Sequence, residues 1–579
     1  MNLDALSLGQ PRPLRSLDPT ALLLTLLLAL LAFAVLYPIF LLLAASFQVE
    51  TTDKAIAYSL DAWKGALNEP GIAQAFLNTL LVTGLVQAIS IPIAILIAWV
   101  IARTDMLGAR FAELLFWVTF FIPTLAVTAG WILVLDPKFG LLNQLLVRLG
   151  LFQGAPLNIY SLWGIVFTHL ASLSISTKVM MMAAAFRNMD ATLEEAARVS
   201  GASAMRTLFR IVVSASAPMI FVASVMSAIR SFESFEVELV LGTPFRFSVY
   251  STKIYSLIHQ TPVNYGGATA LSLLILLAIL PLVILQQRVT SRGHYTTLTS
   301  SFKPTLVSLG KWRWPITLAV FLVAILATII PLTFLAMGSF MNLFGYFELE
   351  RVWSLRHWST VFNDPGFLSS MKNSLTLGFG TMTLSVVLFG FLAYIIARTN
   401  YFARWAFDLV TWIPFMIPGI ILGLGYMFFS LRTPFLQFLY GSKILLVLIL
   451  ALTTMTFAVQ ILKSTLLQLG PDLEEACRVM GGSFWFTLRR IVVPLMLPTA
   501  AVVAVMVFGS VNRQVSSIVL LTTAQSEPLS VLQLGYLMAE DFSAASVVGT
   551  ILVGLGLTLA IAVRKLGYRF GAQHLEGRL

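Results

Sequence analysis

Two short charged stretches are the first places in this chain where polar chemistry could occur. One is LEEAARVSGAS, from Leu193 to Ser203, and the other is LEEACRVMGGS, from Leu473 to Ser483. Each contains two glutamates, an arginine and a glycine, and each lies between long apolar segments. Such side chains form ion pairs and hydrogen bonds with another protein surface, whereas charges of this kind are rare inside a lipid bilayer.

Both stretches carry the signals of a short helix. Thr192 stands three residues before Glu195, which is the spacing of a capping box at a helix start. Glu194 and Arg198 are spaced for an ion pair along the helix, and Gly201 stands where a left-handed residue ends one. The second stretch repeats this pattern with Asp472, Glu474, Glu475, Arg478 and Gly481. Each stretch therefore predicts a helix of about eight residues, which is too short to be stable alone in water.

Small and apolar side chains recur with helical spacing beside these charges. They are Leu193, Ala196 and Ala197 in the first stretch, and Leu473, Ala476 and Cys477 in the second. A single helix of this kind is expected to rest on its own helical bundle. Because the whole pattern occurs twice, we favour two equivalent docking sites for a partner protein, where small residues let another backbone approach closely.

Nothing else in the sequence has the spacing of a catalytic or metal site. The histidines are scattered, at His169, His259, His294, His357 and His574. The single cysteine excludes an internal disulfide and a cysteine-built metal site. Since no nucleophile elbow or pair of catalytic carboxylates occurs, we expect no catalytic residue and no cofactor. His169 falls in an apolar segment and is predicted to be a hydrogen-bonded core histidine rather than a ligand.

The composition places the charged stretches beside a membrane. Of the 579 residues, 58% are apolar and only 11% are charged, and the mean hydropathy is +0.89. A soluble chain of this length would need far more charge to cover its surface. The net charge of +11 could indicate nucleic acid, but the basic residues cluster next to apolar segments. Contact with membrane lipid explains them better, and we expect no nucleic-acid partner.

Six segments in each half of the sequence are long and apolar enough to cross a bilayer as helices. They lie near 20–46, 76–102, 112–135, 160–185, 212–242, 267–287, 314–339, 372–397, 406–430, 444–467, 494–523 and 544–563. The connection 288–313 is basic and has no acidic residue, whereas the connection 48–75 is mainly acidic. Because basic loops stay in the cytoplasm, the middle linker, both termini and both charged stretches are predicted to be cytoplasmic.

The second half of the sequence repeats the first. Matched segments 295 residues apart are YSLDAWKGALNEPG (58–71) with WSLRHWSTVFNDPG (353–366), VIART (100–104) with IIART (395–399), and FIP (121–123) with MIP (416–418). The charged stretches are only 280 residues apart, so the first half holds about fifteen extra residues, expected near 136–157. Parallel repeats of this kind predict a pathway between the two halves.

Four charged residues fall late in the fifth predicted spans, three in the first half and one in the second. Arg230, Glu233 and Glu236 lie in RSFESFEVEL, and Arg513 coincides with Glu233 when the halves are superimposed at the 280-residue offset. Charges at membrane depth usually face a pathway or a partner, so these four are candidate pathway or gate residues. An ion pair between Glu233 and Arg513 would hold the pathway shut. The alternative is that the spans end early, each charge faces water, and the coincidence is accidental.

The charged stretches resemble the EAA loop in the permeases of type I ABC importers. In both, a glycine follows five residues after the alanine of Glu-Glu-Ala, and an apolar stretch then leads to Pro218 or to Pro494 and Pro498. Ser214 stands where the second copy has Pro494, outside the docking segment. The resemblance covers nearly the whole chain as two fused halves. It implies an all-α integral membrane protein with about 12 transmembrane helices, in two homologous six-helix halves of the type I ABC permease (MetI-like) fold.

In that family the loop helix is a coupling helix that sits in a groove on a separate ATPase subunit. The resemblance therefore implies coupling roles for Glu194, Glu195, Ala196, Gly201, Glu474, Glu475, Ala476 and Gly481. It also implies a homodimeric ABC ATPase and a periplasmic substrate-binding protein as partners, at a bacterial inner membrane. The sequences Gly310-Lys311 and Gly441-Ser442-Lys443 lack the spacing of a phosphate-binding loop. ATP hydrolysis is thus expected on another chain, and this chain is expected not to be an enzyme.

The same resemblance divides the chain into five parts. An N-terminal segment with the first helix and an outer loop covers 1–70, and the first ABC type-1 transmembrane domain covers 71–288. The basic linker, the seventh helix and a second outer loop cover 289–365. The second transmembrane domain covers 366–565, and a cytoplasmic tail covers 566–579.

The solute is less firmly indicated than the class of transporter. The chain most resembles the ferric-iron group, which implies ferric iron. Thiamine, aminoalkylphosphonate, polyamine and sulfate permeases are related, and in such importers the binding protein largely selects the ligand. A rival of another class is an ion-coupled secondary transporter with 12 helices, because RTDMLGAR at 103–110 loosely resembles its basic loop. Neither that rival nor a passive channel needs a duplicated Glu-Glu-Ala helix.

Overall fold

The computed structural model describes residues 19–50, 56–189, 192–292 and 306–569, and these residues form an almost entirely helical protein. The first half comprises α1 (Pro19–Ser46), α2 (Asp61–Asn68), α3 (Ile72–Arg103), α4 (Ala109–Val118), α5 (Thr124–Leu135), α6 (Leu141–Arg148), α7 (Leu162–His169), α8 (Ile175–Arg187), α9 (Thr192–Val199), α10 (Ala204–Thr207), α11 (Val213–Ala215), α12 (Ala217–Phe232), α13 (Glu236–Gly242), α14 (Tyr250–His259) and α15 (Tyr265–Arg292). Two short antiparallel strands, β1 (Gln48–Glu50) and β2 (Ile56–Tyr58), follow α1.

The second half repeats this order with fewer connecting elements. It comprises α16 (Arg313–Ala327), α17 (Ile329–Phe340), α18 (Arg356–Phe362), α19 (Pro365–Leu384), α20 (Gly390–Arg398), α21 (Arg404–Trp412), α22 (Gly419–Arg432), α23 (Lys443–Gln468), α24 (Asp472–Val479), α25 (Phe484–Thr487), α26 (Val493–Val511), α27 (Leu529–Met538) and α28 (Phe542–Arg569). Short 3₁₀ turns are Thr119–Phe121, Thr243–Phe245, Gly310–Trp312, Ile413–Met416 and Pro434–Leu439, and π-helical turns are Leu170–Ser174, Leu208–Val212, Ser385–Phe389 and Leu488–Val492.

The described helices confirm the predicted order of membrane spans. Nine helices are long and apolar enough to cross a bilayer. The number of spans rises to as many as 12 if each of three pairs of helices joined by a sharp bend counts as one span. The extra residues of the first half include α6, which lies inside the predicted segment 136–157. The predicted cytoplasmic tail beyond 569 and the middle of the basic linker, 293–305, lie outside the described residues.

The third span of each half is broken rather than straight. α4 and α5 meet at 106°, and α21 and α22 meet at 110°. The breaks fall at Pro123 and Pro418, in the repeated FIP and MIP segments. A proline has no N–H to donate and pushes the preceding residue out of the helical region. Ile122 and Ile417 accordingly have ψ angles of 121° and 119°.

The two halves are interlocked through their first and third spans. α1 packs against α22 of the other half, and α17 packs against α5. The glycines at these contacts are repeat equivalents, since Gly130 of α5 faces Pro331 and Gly425 of α22 faces Pro38. Without a side chain on the glycine, the two backbones can approach closely, as is common between helices in membranes.

The end of the basic linker lies on the same side of the bundle as the charged stretches. The Val307 N–H donates to the carbonyl of Arg103 at 2.8 Å, and the Leu309 N–H donates to the Asp105 carboxylate at 2.9 Å. Arg103 also contacts α9 through Glu194. The linker and the first charged stretch therefore share one side, as predicted, while its assignment to the cytoplasm remains a prediction.

Candidate functional site

The two charged stretches fold into matching helices, α9 and α24, which we call the charged helices. Each is eight residues long, as predicted. Gly201 and Gly481 follow them with φ angles of 80° and 84°, which confirms the predicted left-handed ends. The N–H groups of the next residues bond back to the carbonyls of Ala197 and Cys477, both at 2.9 Å. This closes the last turn of each helix.

A buried ion pair fixes each charged helix to its own bundle. In the first half, Arg103 at the end of α3 donates through Nε to Glu194 Oε1 at 2.7 Å, and the two side chains are 1% and 5% exposed. In the second half, Arg398 at the end of α20 lies 2.9 Å from Glu474. The Tyr394 hydroxyl donates to the same carboxylate at 3.0 Å. The two arginines are the repeat-equivalent residues of VIART and IIART.

These anchors replace interactions that were predicted within the second charged helix. Glu474 faces inward to Arg398, so the predicted pair with Arg478 is wrong, and Arg478 is exposed. The predicted capping box of Asp472 is wrong as well, because α24 begins at Asp472 and its N-cap is Pro471, which forms no side-chain cap. An arginine at a span end is the nearer cation for a carboxylate on the buried face. In the first copy, the Arg198 side chain lies outside the described residues.

The outward face of each charged helix is exposed and partly apolar. Glu195, Ala196, Glu475 and Ala476 are all exposed, whereas Cys477 is buried beside Glu474. The predicted apolar stripe is therefore divided between the two faces. Large apolar side chains also point outward, namely Leu473, Val479, Met480 and Val199. Exposed apolar groups around a few charges are typical of a surface that binds another protein.

The second charged helix has an aromatic extension that sequence reasoning missed. Phe484, Trp485 and Phe486 follow the turn that ends this helix, and Trp485 is 71% exposed. The equivalent residues of the first half include Met205 and Arg206. The signal was present in the sequence as three consecutive aromatic residues after the second motif. The two surfaces are therefore equivalent in position but different in chemistry.

The four candidate pathway residues, which we call the axial cluster, lie between the halves. α12 ends at Phe232 and α26 at Val511, earlier than predicted. Glu233, Glu236 and Arg513 are half-buried there, whereas the Arg230 side chain is 49% exposed. Glu236 Oε1 accepts a hydrogen bond from the N–H of Ser516 at 3.2 Å. These two residues are 280 positions apart and are repeat equivalents. A residue that contacts its own equivalent lies beside the axis that relates the halves.

Glu233 has a different partner from the one predicted. It pairs with Arg230, one turn earlier on the same helix, at 3.0 Å. Its other oxygen accepts from the N–H of Gly419 at 3.0 Å, at the start of α22 in the other half. Among the ion pairs of the described residues none joins Glu233 to Arg513, so that hypothesis is wrong for this structure. Arg230 lies one turn from Glu233 on the same helix, so it pairs with the Glu233 carboxylate in place of Arg513.

Arg513 stands apart from the rest of the axial cluster. Its guanidinium lies over the ring of Phe120 at 5.8 Å, and Arg230 lies over the equivalent ring of Phe415 at 5.2 Å. The Nε and Nη1 atoms of Arg513 are buried and have no hydrogen-bond partner within the described chain. Each half thus presents an arginine to the turn at the break in the third span of the other half.

A polar contact fixes α13, the short helix that carries Glu236. His169 Nε2 lies 2.8 Å from Glu238, and the Ser234 hydroxyl donates to the same carboxylate at 2.5 Å. His169 is therefore a hydrogen-bonded core histidine, as predicted. Within the described ranges no three histidine, cysteine or acidic side chains are grouped to hold a metal.

Comparison with known families identifies two matching segments. Residues 90–293 and 386–570 both match the family described as "binding-protein-dependent transport system inner membrane component", and together they cover more than half of the chain. Each segment contains one charged helix and one part of the axial cluster.

Relatives of several transport systems align with the chain at low identity. A probable ABC transporter permease of Sinorhizobium fredii is 26% identical over 71% of this chain and 73% of its own length. A putative ferric transport system permease of Haemophilus influenzae is 25% identical over 60% of this chain and 54% of its own length. A sulfate transport system permease of Salmonella typhimurium is 23% identical over 39% of this chain and 84% of its own.

A solved structure also aligns with half of the chain. It is that of a bacterial ABC transporter involved in the import of the acidic polysaccharide alginate. The identity is 18%, the TM-score is 0.39, and the alignment covers 45% of this chain and 95% of the other.

Proposed function

Because the chain belongs to the family of binding-protein-dependent transport system inner membrane components, we propose that it forms the solute pathway of an ATP-driven importer. It is a multi-pass membrane permease that carries the family domain twice. ATP is hydrolysed on a separate ABC ATPase, and a periplasmic binding protein delivers the solute. The chain lies in a bacterial inner membrane with both termini in the cytoplasm.

The pair of anchored charged helices is the observation that supports this proposal. Each helix holds to its own bundle through one glutamate, Glu194 or Glu474, and presents the next glutamate outward. A partner that moves the helix therefore moves the end of α3 or α20 with it, because the ion pair is buried. Two equivalent helices offer two equivalent sites, which suits an ATPase that acts as a homodimer. Glu195, Ala196 and Gly201 of the first helix have their counterparts in Glu475, Ala476 and Gly481.

Purification of the tagged chain from membranes of its own host tests the docking role. We expect an ABC ATPase to co-purify in two copies per chain. Glu475→Arg should reduce that association, because it reverses an outward charge without touching the anchor. Glu350→Arg, at an exposed position far along the chain, is the matched control. Equal retention of the ATPase by both variants would contradict a docking role for the charged helices.

We propose ferric iron as the solute, with support from two ferric relatives, which align at 25% and 24% identity. A deletion strain should grow poorly when iron is chelated and should lose uptake of radioactive ferric iron, and the gene supplied in trans should restore both. Growth that fails only when sulfate, thiamine or a phosphonate is limiting would contradict ferric iron and leave the importer proposal intact. Transport by the purified chain alone on an ion gradient would contradict the importer itself.

A further inference from the structure

The two halves treat the start of their broken-span helices differently. In the second half, α22 begins at Gly419, and the Glu233 carboxylate accepts a hydrogen bond from that N–H. The residue equivalent to Gly419 in the first half is Thr124, where α5 begins. The residue equivalent to Glu233 is Arg513. Where a carboxylate meets one helix start, the repeat-equivalent residue of the other half is therefore an arginine, whose guanidinium lies against the turn before α5.

The start of α5 presents backbone N–H groups, which carry partial positive charge, without a side-chain acceptor in the described chain. Its N-cap, Pro123, forms no side-chain cap, and the first N–H groups of a helix attract anions. Arg513 lies against Phe120, in the turn that leads into α5. Gly509, one turn before Arg513, faces Phe121 in the same turn. The guanidinium and the helix start thus belong to one place between the halves.

The buried Nε and Nη1 atoms of Arg513 have no hydrogen-bond partner within the described chain. A buried guanidinium that lacks acceptors is costly, and charge-assisted hydrogen bonds to oxygen are the strong way to satisfy it. Glu233 and Glu236 are not the acceptors of Arg513, since both carboxylates accept hydrogen bonds from backbone N–H groups of the second half. Arg513 and the start of α5 therefore adjoin one another without a carboxylate partner of their own in the described chain.

We propose that a small oxyanion binds between Arg513 and the start of α5, on the route between the halves. The proposal rests on the proposed importer function and deepens it, because it implies that the solute carries negative charge where it passes Arg513. A ferric ion would pass Arg513 with an oxyanion or carboxylate ligand rather than as the bare cation, which the unpaired guanidinium repels. Arg513 is then a binding and specificity-determining residue of the pathway.

Equilibrium binding to the purified full-length chain in lipid nanodiscs tests this directly. Radioactive sulfate and phosphate are the probes, and citrate and chloride are the competitors. We expect saturable binding of at least one oxyanion to the native chain, and a loss of about tenfold or more in affinity for Arg513→Gln. Arg513→Lys should keep most of the affinity because it keeps the charge. Arg351→Gln, at an exposed position outside the axial cluster, is the matched control and should bind as the native chain does.

A second measurement on the native chain covers the case in which Arg513→Gln does not fold. Phenylglyoxal modifies accessible arginines, and mass spectrometry locates the modified residue. Arg513 is partly exposed, although its Nε and Nη1 atoms are buried. Bound sulfate or phosphate should slow the modification of Arg513 and leave that of Arg351 unchanged. The proposal is overturned if the native chain binds no oxyanion at millimolar concentration, or if Arg351→Gln loses as much affinity as Arg513→Gln. Neither readout requires an ATPase or iron, so failure of the ferric proposal would not be mistaken for failure of this site.

Discussion

The Arg103–Glu194 ion pair anchors the first charged helix, α9. Removing one member of this pair should release α9 and leave α24 in place. Arg103 and Glu194 are 1% and 5% exposed, so Arg103→Met leaves a carboxylate buried without its cation. Breaking a buried ion pair in this way typically costs roughly 3–5 kcal/mol. Since every 1.4 kcal/mol is a factor of ten, the population of the detached helix should rise by roughly a hundredfold or more.

Hydrogen–deuterium exchange of the purified chain in nanodiscs measures that release. Amides of α9 should exchange much faster in Arg103→Met, whereas those of α24 in the same molecule should not change. Arg398→Met should give the opposite result, with α24 released and α9 unchanged. Arg148→Met provides the control, because the Arg148–Glu348 pair is 57% and 83% exposed and is worth at most about 1 kcal/mol.

The double variant Arg103→Met with Glu194→Met separates anchoring from simple damage. Replacing both members of a buried pair by apolar side chains of similar length is often close to neutral, because no unpaired charge remains. We therefore expect exchange in α9 to return most of the way to the native rate. Unchanged exchange in Arg103→Met, or a double variant that is worse than the single one, would refute the anchor.

Three further outcomes follow from other parts of the structure. Replacing Gly201 or Gly481 by valine should cost about 1–2 kcal/mol of helix-end stability, because both φ angles are near 80°, and should lower ATPase co-purification while membrane insertion survives. Gly130→Val should collide with the backbone of the facing span and reduce the yield of folded protein, which size-exclusion chromatography would show. A cysteine placed at Ala55 should be labelled by a reagent added from outside, whereas one placed at Ser300 should be protected. The reverse pattern would invert the predicted orientation.

The sequence was sufficient to predict the features that depend on neighbouring residues. Hydropathy located the spans because bilayer thickness sets their length, and the repeat located two matching charged helices. The left-handed glycines were predictable for the same reason, since a helix end is a local structure. The two breaks at Pro123 and Pro418 were visible as FIP and MIP, yet a proline alone does not say whether a span kinks or turns back.

The partners of the glutamates depend on tertiary structure and were not predictable from spacing. Arg103 lies 91 residues before Glu194, so helical spacing gave Arg198 as the nearest candidate instead. The repeat held a hint, because VIART and IIART keep an arginine at the same position in both halves. For the axial cluster, superposition of the halves found the right region. It gave Glu233 the wrong partner because it compared the halves and ignored Arg230 on the same helix.

The exchange of first spans between the halves has a consequence for how such a chain originates. Each half seats its first helix on the third span of the other, which is the arrangement of a dimer that has swapped one helix. Joining two such subunits in one polypeptide removes the dependence of their pairing on concentration and fixes their ratio at one to one. It also frees each copy to change independently. An aromatic extension in one copy, and an arginine in one copy where the other has a glutamate, are differences that a dimer of identical subunits could not hold.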